Sequence, residues 1–309
     1  MAQASESSKS DGDEALSGPR WIYQRNWLQI AALVVMNSYF FSWAKGFCVP
    51  ALNCWACPGA IFGCPLGAIQ NSSIAAQWTL GNKPWYAILP LYVLGVLVVF
   101  SALFGRMMCG WICPFGWLQD KLAALRKKHW RIPRALRYLR YVILVALVLI
   151  VPYLTGVPWF CKLCPQGALE GGWLQPIFDA DVRAAIGSFW WIKQAILVGF
   201  LVLMVFVKRP FCGTACALGA IFSLLHRYSL WRIDFDAEKC VNCMWCVRNC
   251  PAGIDPRKDV NSHACIGCLE CAKCPYGAVQ SRPMWQAMPS LSAIAPRSGA
   301  TADQAPAEE

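Results

Sequence analysis

Charge is scarce in this chain: 15% of its 309 residues are Asp, Glu, Lys or Arg, and histidine occurs three times. So little charge, set against a hydrophobic fraction of 57% and 16 tryptophans, excludes an ordinary soluble domain and points to a membrane protein. No Cys-x-x-Cys is followed by His, which excludes covalent haem attachment. Neither a Gly-x-Gly-x-x-Gly after a strand nor a phosphate-binding P-loop is present, so no nucleotide cofactor is expected. The first apolar run lacks an Ala-x-Ala exit and follows a long polar tail, which argues against a cleaved signal peptide. The net charge of +11 does not call for nucleic acid, because nine Lys/Arg are concentrated between Arg106 and Arg140, with Asp120 the one acid among them. A basic loop between apolar spans is a topology signal.

Cysteine, by contrast, is abundant: 18 residues, most of them in CxxC and CxxxC groups that suit metal sites better than a dispersed set of disulfides. Seven groups close on nearly the same phrase: CPGAI from Cys57, CPLGAI from Cys64, CPFGWL from Cys113, CPQGAL from Cys164, CALGAI from Cys216, CPAGI from Cys250 and CPYGAV from Cys274. The phrase reads as the end of a ligand loop. Its proline turns the chain, and the small Gly-Ala pair lets backbone approach an inorganic cluster.

Four runs are long and apolar enough to cross a bilayer core, which takes about 20 residues: Trp27–Ala44, Trp85–Phe104, Tyr141–Pro158 and Phe189–Val207. Loop 105–140 carries nine Lys/Arg, whereas loops 45–84 (Lys45, Lys83) and 159–188 (Lys162, Arg183) carry two each. The positive-inside rule then makes the basic loop and both termini cytoplasmic, in a multi-pass protein of a bacterial-type inner membrane. Each half runs span, outer CxxCP, span, inner CxxxC, a pattern that reads as a duplicated two-helix hairpin with sites at the repeat interface. The expected fold is an all-α membrane domain of four transmembrane helices over 21–230, followed by a small cytoplasmic ferredoxin-like domain over 231–285. Residues 1–20 and 286–309 are expected to be disordered tails.

From Cys240 the chain reads CVNCMWCVRNCP and from Cys265 CIGCLECAKCP. Three thiolates spaced two residues apart wrap one cluster, and the fourth cysteine reaches across to the other. Cys240, Cys243, Cys246 and Cys274 are thus expected to hold one [4Fe–4S] cluster, and Cys265, Cys268, Cys271 and Cys250 a second. A four-thiolate zinc site is the bland alternative. The second group has two residues before its last cysteine, where bacterial ferredoxins have three.

Cys109 and Cys113, and likewise Cys212 and Cys216, are four apart just past the cytoplasmic ends of spans two and four. If the helix continues, that spacing puts both thiols on one face, and the two pairs together offer a further iron–sulfur or metal site. Thiol redox chemistry and plain structural cysteines are the alternatives. On the outer side Cys54, Cys57, Cys161 and Cys164 form two CxxC pairs, with Cys48 and Cys64 left over; three disulfides and a metal site are both open. Arg106, Gln119 and His226 lie near the inner motifs and read as interfacial anchors or helix-end charges.

Inner CGWICP (109–114) and CGTAC (212–216), four spans and two ferredoxin-type cysteine groups together resemble the family of membrane-bound ferredoxin-type proteins that includes NapH and the C-terminal part of NosR-type proteins. The resemblance covers about residues 20–280. It implies oxidation of membrane quinol and passage of electrons through iron–sulfur centres to a redox partner protein, cytoplasmic or periplasmic. Two departures stand out: Ala217 replaces the usual proline after Cys216, and the outer CxxCP pairs are additional to NapH. A bilayer core about 30 Å thick is too wide for one electron hop, so a quinone or an embedded centre must bridge it. A metalloenzyme assembly factor of CcoG type is the alternative, although the short stretch after Cys274 has no room for that type's C-terminal all-β domain. An iron–sulfur redox-sensing regulator is the other.

Overall fold

The computed structural model describes residues 20–38, 47–57, 59–79, 90–126, 128–184 and 186–283. The expected tails, Arg20 apart, and parts of the first two expected spans lie outside these residues.

Among the described residues, twelve helical segments carry the first part of the chain. After a 3-10 turn come α1 (Arg25–Met36), α2 (Pro65–Thr79), α3 (Leu91–Phe104), α4 (Met107–Trp111) and α5 (Pro114–Ala123). Then follow α6 (Arg134–Thr155), α7 (Trp159–Leu163), α8 (165–178), α9 (Ala180–Ala184), α10 (Ser188–Phe206), α11 (Pro210–Thr214) and α12 (Ala217–Leu225). Two of these, α6 with 22 residues and α10 with 19, are long and apolar enough to cross a membrane. At 1.5 Å per residue they are about 33 and 28 Å long, the thickness of a bilayer core. Their apolar faces point away from the protein: Val142, Val145, Leu149 and Leu154 on α6, and Trp191, Val198 and Val202 on α10, are all exposed.

The middle of α6, Leu144–Ile150, is wound as a π-helix. Pro152 follows one residue beyond it, and the wider turn accommodates a residue that has no N–H and whose ring crowds the preceding turn. Gly156, in the left-handed region at φ 66°, ends the helix.

The described parts of the first two expected spans form shorter helices. Within the described residues α1 has 12 residues and α3 has 14, and Ser101 is the one polar side chain of α3 apart from the Tyr92 hydroxyl. The segments 45–84 and 159–188, read as loops, contain real helix. In α2, Gln70, Asn71, Ser72 and Ser73 interrupt the apolar pattern and hide the helix from a periodicity argument, yet it packs against α6 and α3.

Beyond α12, β1 (Trp231–Phe235) and β2 (Val279–Pro283) pair antiparallel, with Trp231 opposite Pro283 and Phe235 opposite Val279, and so tie the two ends of the cysteine-rich tail together. The helical part is built on one buried cluster that includes Leu52, Leu66, Phe115, Met204 and Phe222. The tail is built on a second, to which Ile22 from the N-terminal turn and Trp111 from α4 contribute. The tail is therefore docked on the helices.

Candidate functional site

The two cysteine groups of the tail are wound alike. In the first, Asn242 and Met244 flank Cys243 with positive φ (58° and 59°); in the second, Gly267 and Leu269 flank Cys268 (both 60°). Left-handed backbone at a non-glycine residue costs about 1–3 kcal/mol and persists where the surroundings demand it. Alternating backbone of this kind turns successive N–H groups toward the concave side of the loop, which suits an anionic cluster. Each loop then enters a short helix: α13 (Trp245–Arg248) in the first, a 3-10 turn (Glu270–Lys273) in the second. A 3-10 turn advances further per residue than an α-turn, which absorbs the residue missing before Cys274.

The last cysteine of each group, Cys250 and Cys274, crosses to the other group's cavity. Cys240, Cys243, Cys246 and Cys274 line one small cavity. Cys250, Cys265, Cys268 and Cys271 line another, together with Ile233, Ile254 and Leu269. Cys243 is exposed, whereas all four thiols of the second set are buried. One set therefore faces the surface and the other the helices.

Cys109, Cys113, Cys212 and Cys216 also converge: Cys216 lies within electrostatic reach of the other three. A continued helix is not the reason. α4 ends at Trp111, and Cys113 stands extended (ψ 116°) as the residue that begins α5; Cys216 (ψ 105°) begins α12 in the same way. Pro114 occupies the first turn of α5, where its missing N–H has no partner to lose. At Cys64, Cys113, Cys164 and Cys216 the repeated phrase thus starts a helix instead of turning the chain. Its glycine does permit close approach: a Cβ at Gly116 would stand 2.8 Å from the Cys109 carbonyl oxygen.

Arg106, Gln119 and His226 are not interfacial anchors, since all three are buried. Gln119 Nε2 donates to Cys212 Sγ at 2.9 Å. Arg106 donates to the carbonyl oxygens of His263 (2.6 Å) and Cys212 (3.4 Å), so it links tail and quartet. His226 Nδ1 accepts from the Arg106 backbone N–H at 3.2 Å, and burial, with Arg106 adding to it, lowers its pKa to about 3. The imidazole is neutral.

The second tail set and this inner quartet are neighbours. Trp111 Nε1 donates to the Gly267 carbonyl at 3.2 Å, and Arg209 lies within electrostatic reach of both Cys212 and Cys268. Arg209 is clamped by a bidentate bond to Asp120 (2.6 Å to each oxygen), and Asp120 also pairs with Arg25, which reaches Glu270 in the tail at 2.8 Å. Charges buried in this way hold only because they are paired.

On the opposite end of α10 the structure rearranges the expected outer set. Cys54, Cys161 and Cys164 share one cavity with Cys64, and Cys57, though buried, is not on its lining. Cys64 begins α2 as Cys113 begins α5, and Gln70 Nε2 donates to Cys161 Sγ at 3.1 Å, as Gln119 does to Cys212. Glu170 accepts from the Cys54 backbone N–H at 2.6 Å and from Gln166. The sequence carried a signal for these residues: the sixth residue after Cys64, Cys113 and Cys164 is Gln70, Gln119 and Glu170. No two of the described cysteines are joined by a disulfide.

Buried thiols resist ionisation. Burial pushes Cys113 up to about 12, with the neighbouring thiols adding to the rise, and does the same to Cys64, Cys161 and Cys164. Four thiolates in such a place need a cationic centre among them. The donor set is all sulfur, which suits iron–sulfur chemistry. Among the described residues, no three His, Cys, Asp or Glu side chains are gathered closely enough for a single metal ion.

Comparison with known proteins agrees with this chemistry. Residues 86–133, 138–177 and 189–234 match a family described as a 4Fe-4S binding domain, and residues 233–254 match a second family of the same description. The chain is 32% identical over 186 residues to an uncharacterised protein of Methanocaldococcus jannaschii, covering 57% of this chain and 71% of that one. It is 25% identical over 266 residues to the putative electron transport protein YccM of Escherichia coli, covering 80% of this chain and 71% of that one. To the ferredoxin-type protein NapH of Haemophilus influenzae it is 32% identical over 190 residues, 57% of this chain and 62% of that one. No solved structure matches it.

Proposed function

We propose, from the premise that this chain belongs to the NapH/NosR-like family of ferredoxin-type proteins with 4Fe–4S domains, that it is a membrane-bound carrier moving electrons between the quinone pool and a redox partner protein. Bound iron–sulfur clusters would supply one-electron transfer. Cys240, Cys243, Cys246 and Cys274 would hold one [4Fe–4S] cluster, Cys250, Cys265, Cys268 and Cys271 a second, and Cys109, Cys113, Cys212 and Cys216 a further centre. In this reading the helical part up to about residue 230 is a four-span membrane domain and 231–285 is the ferredoxin-like domain. The basic loop 105–140 and both termini are cytoplasmic.

The observation that carries the proposal is the sequence of sites itself. A thiol set with one exposed member, Cys243, is followed by a buried set, which abuts the inner quartet through Trp111 and Arg209. Ile233, Ile254 and Leu269 keep water from the middle set, and Gln119 orients and stabilises the Cys212 sulfur of the quartet. The outward apolar faces of α6 and α10 support insertion in a bilayer, because exposing them to water would be costly. No observation here favours the assembly-factor reading.

The test is anaerobic purification of the whole chain in detergent, with iron, sulfide and zinc quantified, then EPR after addition of a reduced quinol analogue. Iron with quinol-dependent signals is the expected outcome. Iron whose signals ignore quinol, or zinc in place of iron, refutes the proposal.

A further inference from the structure

We infer that Cys54, Cys64, Cys161 and Cys164 hold an iron–sulfur cluster of their own, at the end of the helical bundle opposite the tail. The inference rests on the carrier reading above and extends it to a site whose first two ligands precede the residues matched as 4Fe–4S binding, which start at 86.

The geometry repeats that of the inner quartet. In each set one cysteine begins a helix just before proline, Cys64 before Pro65 and Cys113 before Pro114. Six residues on, a fully buried glutamine reaches across to the first cysteine of the other half's group, Gln70 to Cys161 and Gln119 to Cys212. A neutral thiol is a weak acceptor, so a buried amide N–H aimed at sulfur is best used by a thiolate.

The surroundings fit the same occupant. Leu52, Leu66 and Phe160 line the cavity with apolar surface, and Lys193 lies within electrostatic reach of Cys54 and Cys161, where it offsets thiolate charge. Close backbone packing on the sulfur is possible because residue 171 is glycine: a Cβ there would stand 3.2 Å from Cys54 Sγ. At 167, also glycine, it would stand 3.5 Å from the same atom. The cavity takes Cys64 and leaves out Cys57, although the CxxC spacing favours Cys57.

The whole chain is purified anaerobically as wild type, Cys64→Ser, Cys57→Ser and Gln70→Leu, and read by iron and sulfide content and by EPR-monitored redox titration. Cys64→Ser should lose about four iron per chain and one signal. Cys57→Ser should keep both, and Gln70→Leu should keep its iron but shift the midpoint of that one signal. Full iron in folded Cys64→Ser overturns the inference, and so does zinc as the metal it loses. If Cys64→Ser fails to fold, unshifted signals in Gln70→Leu overturn it. Iron that vanishes wholly in Cys243→Ser combined with Cys271→Ser overturns the outer cluster, and the inner centre with it, but leaves the two tail clusters of the carrier reading standing; a wild type without iron overturns both readings.

Discussion

Gly110 in α4 lies directly beneath Cys268 of the tail: a Cβ at position 110 would stand 3.1 Å from the Cys268 Cα and 3.0 Å from the Ile266 carbonyl oxygen. Both obstacles are backbone or backbone-bound atoms, which have little freedom to retreat. Gly110→Ala should therefore push the tail off the helices at a cost of about 1–3 kcal/mol, more than the alanine gains in helix propensity. Hydrogen exchange should rise across 263–270 while that of α10 stays unchanged. Unchanged protection at 263–270 would show that the contact is slack.

Asp120 is the counter-charge of two buried arginines, Arg25 and Arg209. Removing it in Asp120→Ala leaves Arg209 buried without its anion, and the loss of stability should be about 3–5 kcal/mol in a denaturant titration in detergent. A loss within the ordinary surface range would refute the role.

The same carboxylate sets a pH dependence. Burial alone would raise the Asp120 pKa, but Arg209 and Arg25 beside it overcome that penalty and hold it below the ordinary carboxylate range. A lowered folded pKa gives stability that is present above the unfolded value, about 4, and is lost as pH falls through the folded one. The stability difference between wild type and Asp120→Asn should thus be constant from pH 7 to about 5 and shrink below about 4. A difference that shrinks already near neutrality would point to another group.

Gln119 donates to Cys212 Sγ. In Gln119→Leu the sulfur loses a donor that favours the more negative, reduced state of a bound centre, so the midpoint of the inner centre should move to lower potential. EPR-monitored titration reads this, and an upward shift or none would exclude the sulfur as a cluster ligand.

Cys243 is the exposed member of its set. Cys243→Ser should abolish one cluster's signal, with about four iron lost per chain, while the protein still fractionates with membranes. An unchanged signal would break the assignment of the 240, 243, 246 and 274 set.

Much of this protein was legible in one dimension because its chemistry is local. Three thiols spaced two residues apart read as ligands of a common centre, and in the fold the cysteines of each loop, 240–246 and 265–271, do line one cavity together. The crossing of Cys250 and Cys274 between them follows from the same chain geometry. The apolar runs of α6 and α10 were equally plain, since length and hydropathy are properties of a segment alone.

What the sequence could not decide was which cysteines face one another across the bundle. Cys57 and Cys64 carry almost the same phrase, and nothing local ranks one above the other. The packing of α2 against α6 brings Cys64 and Gln70 to Cys161, and Cys57 does not line the cavity they share. The convergence of Cys109, Cys113, Cys212 and Cys216 likewise came from chain breaks at Cys113 and Cys216 and not from a helical face. Spacing along a chain fixes contacts within one turn or loop; contacts between halves depend on how helices pack, and only the folded protein sets that.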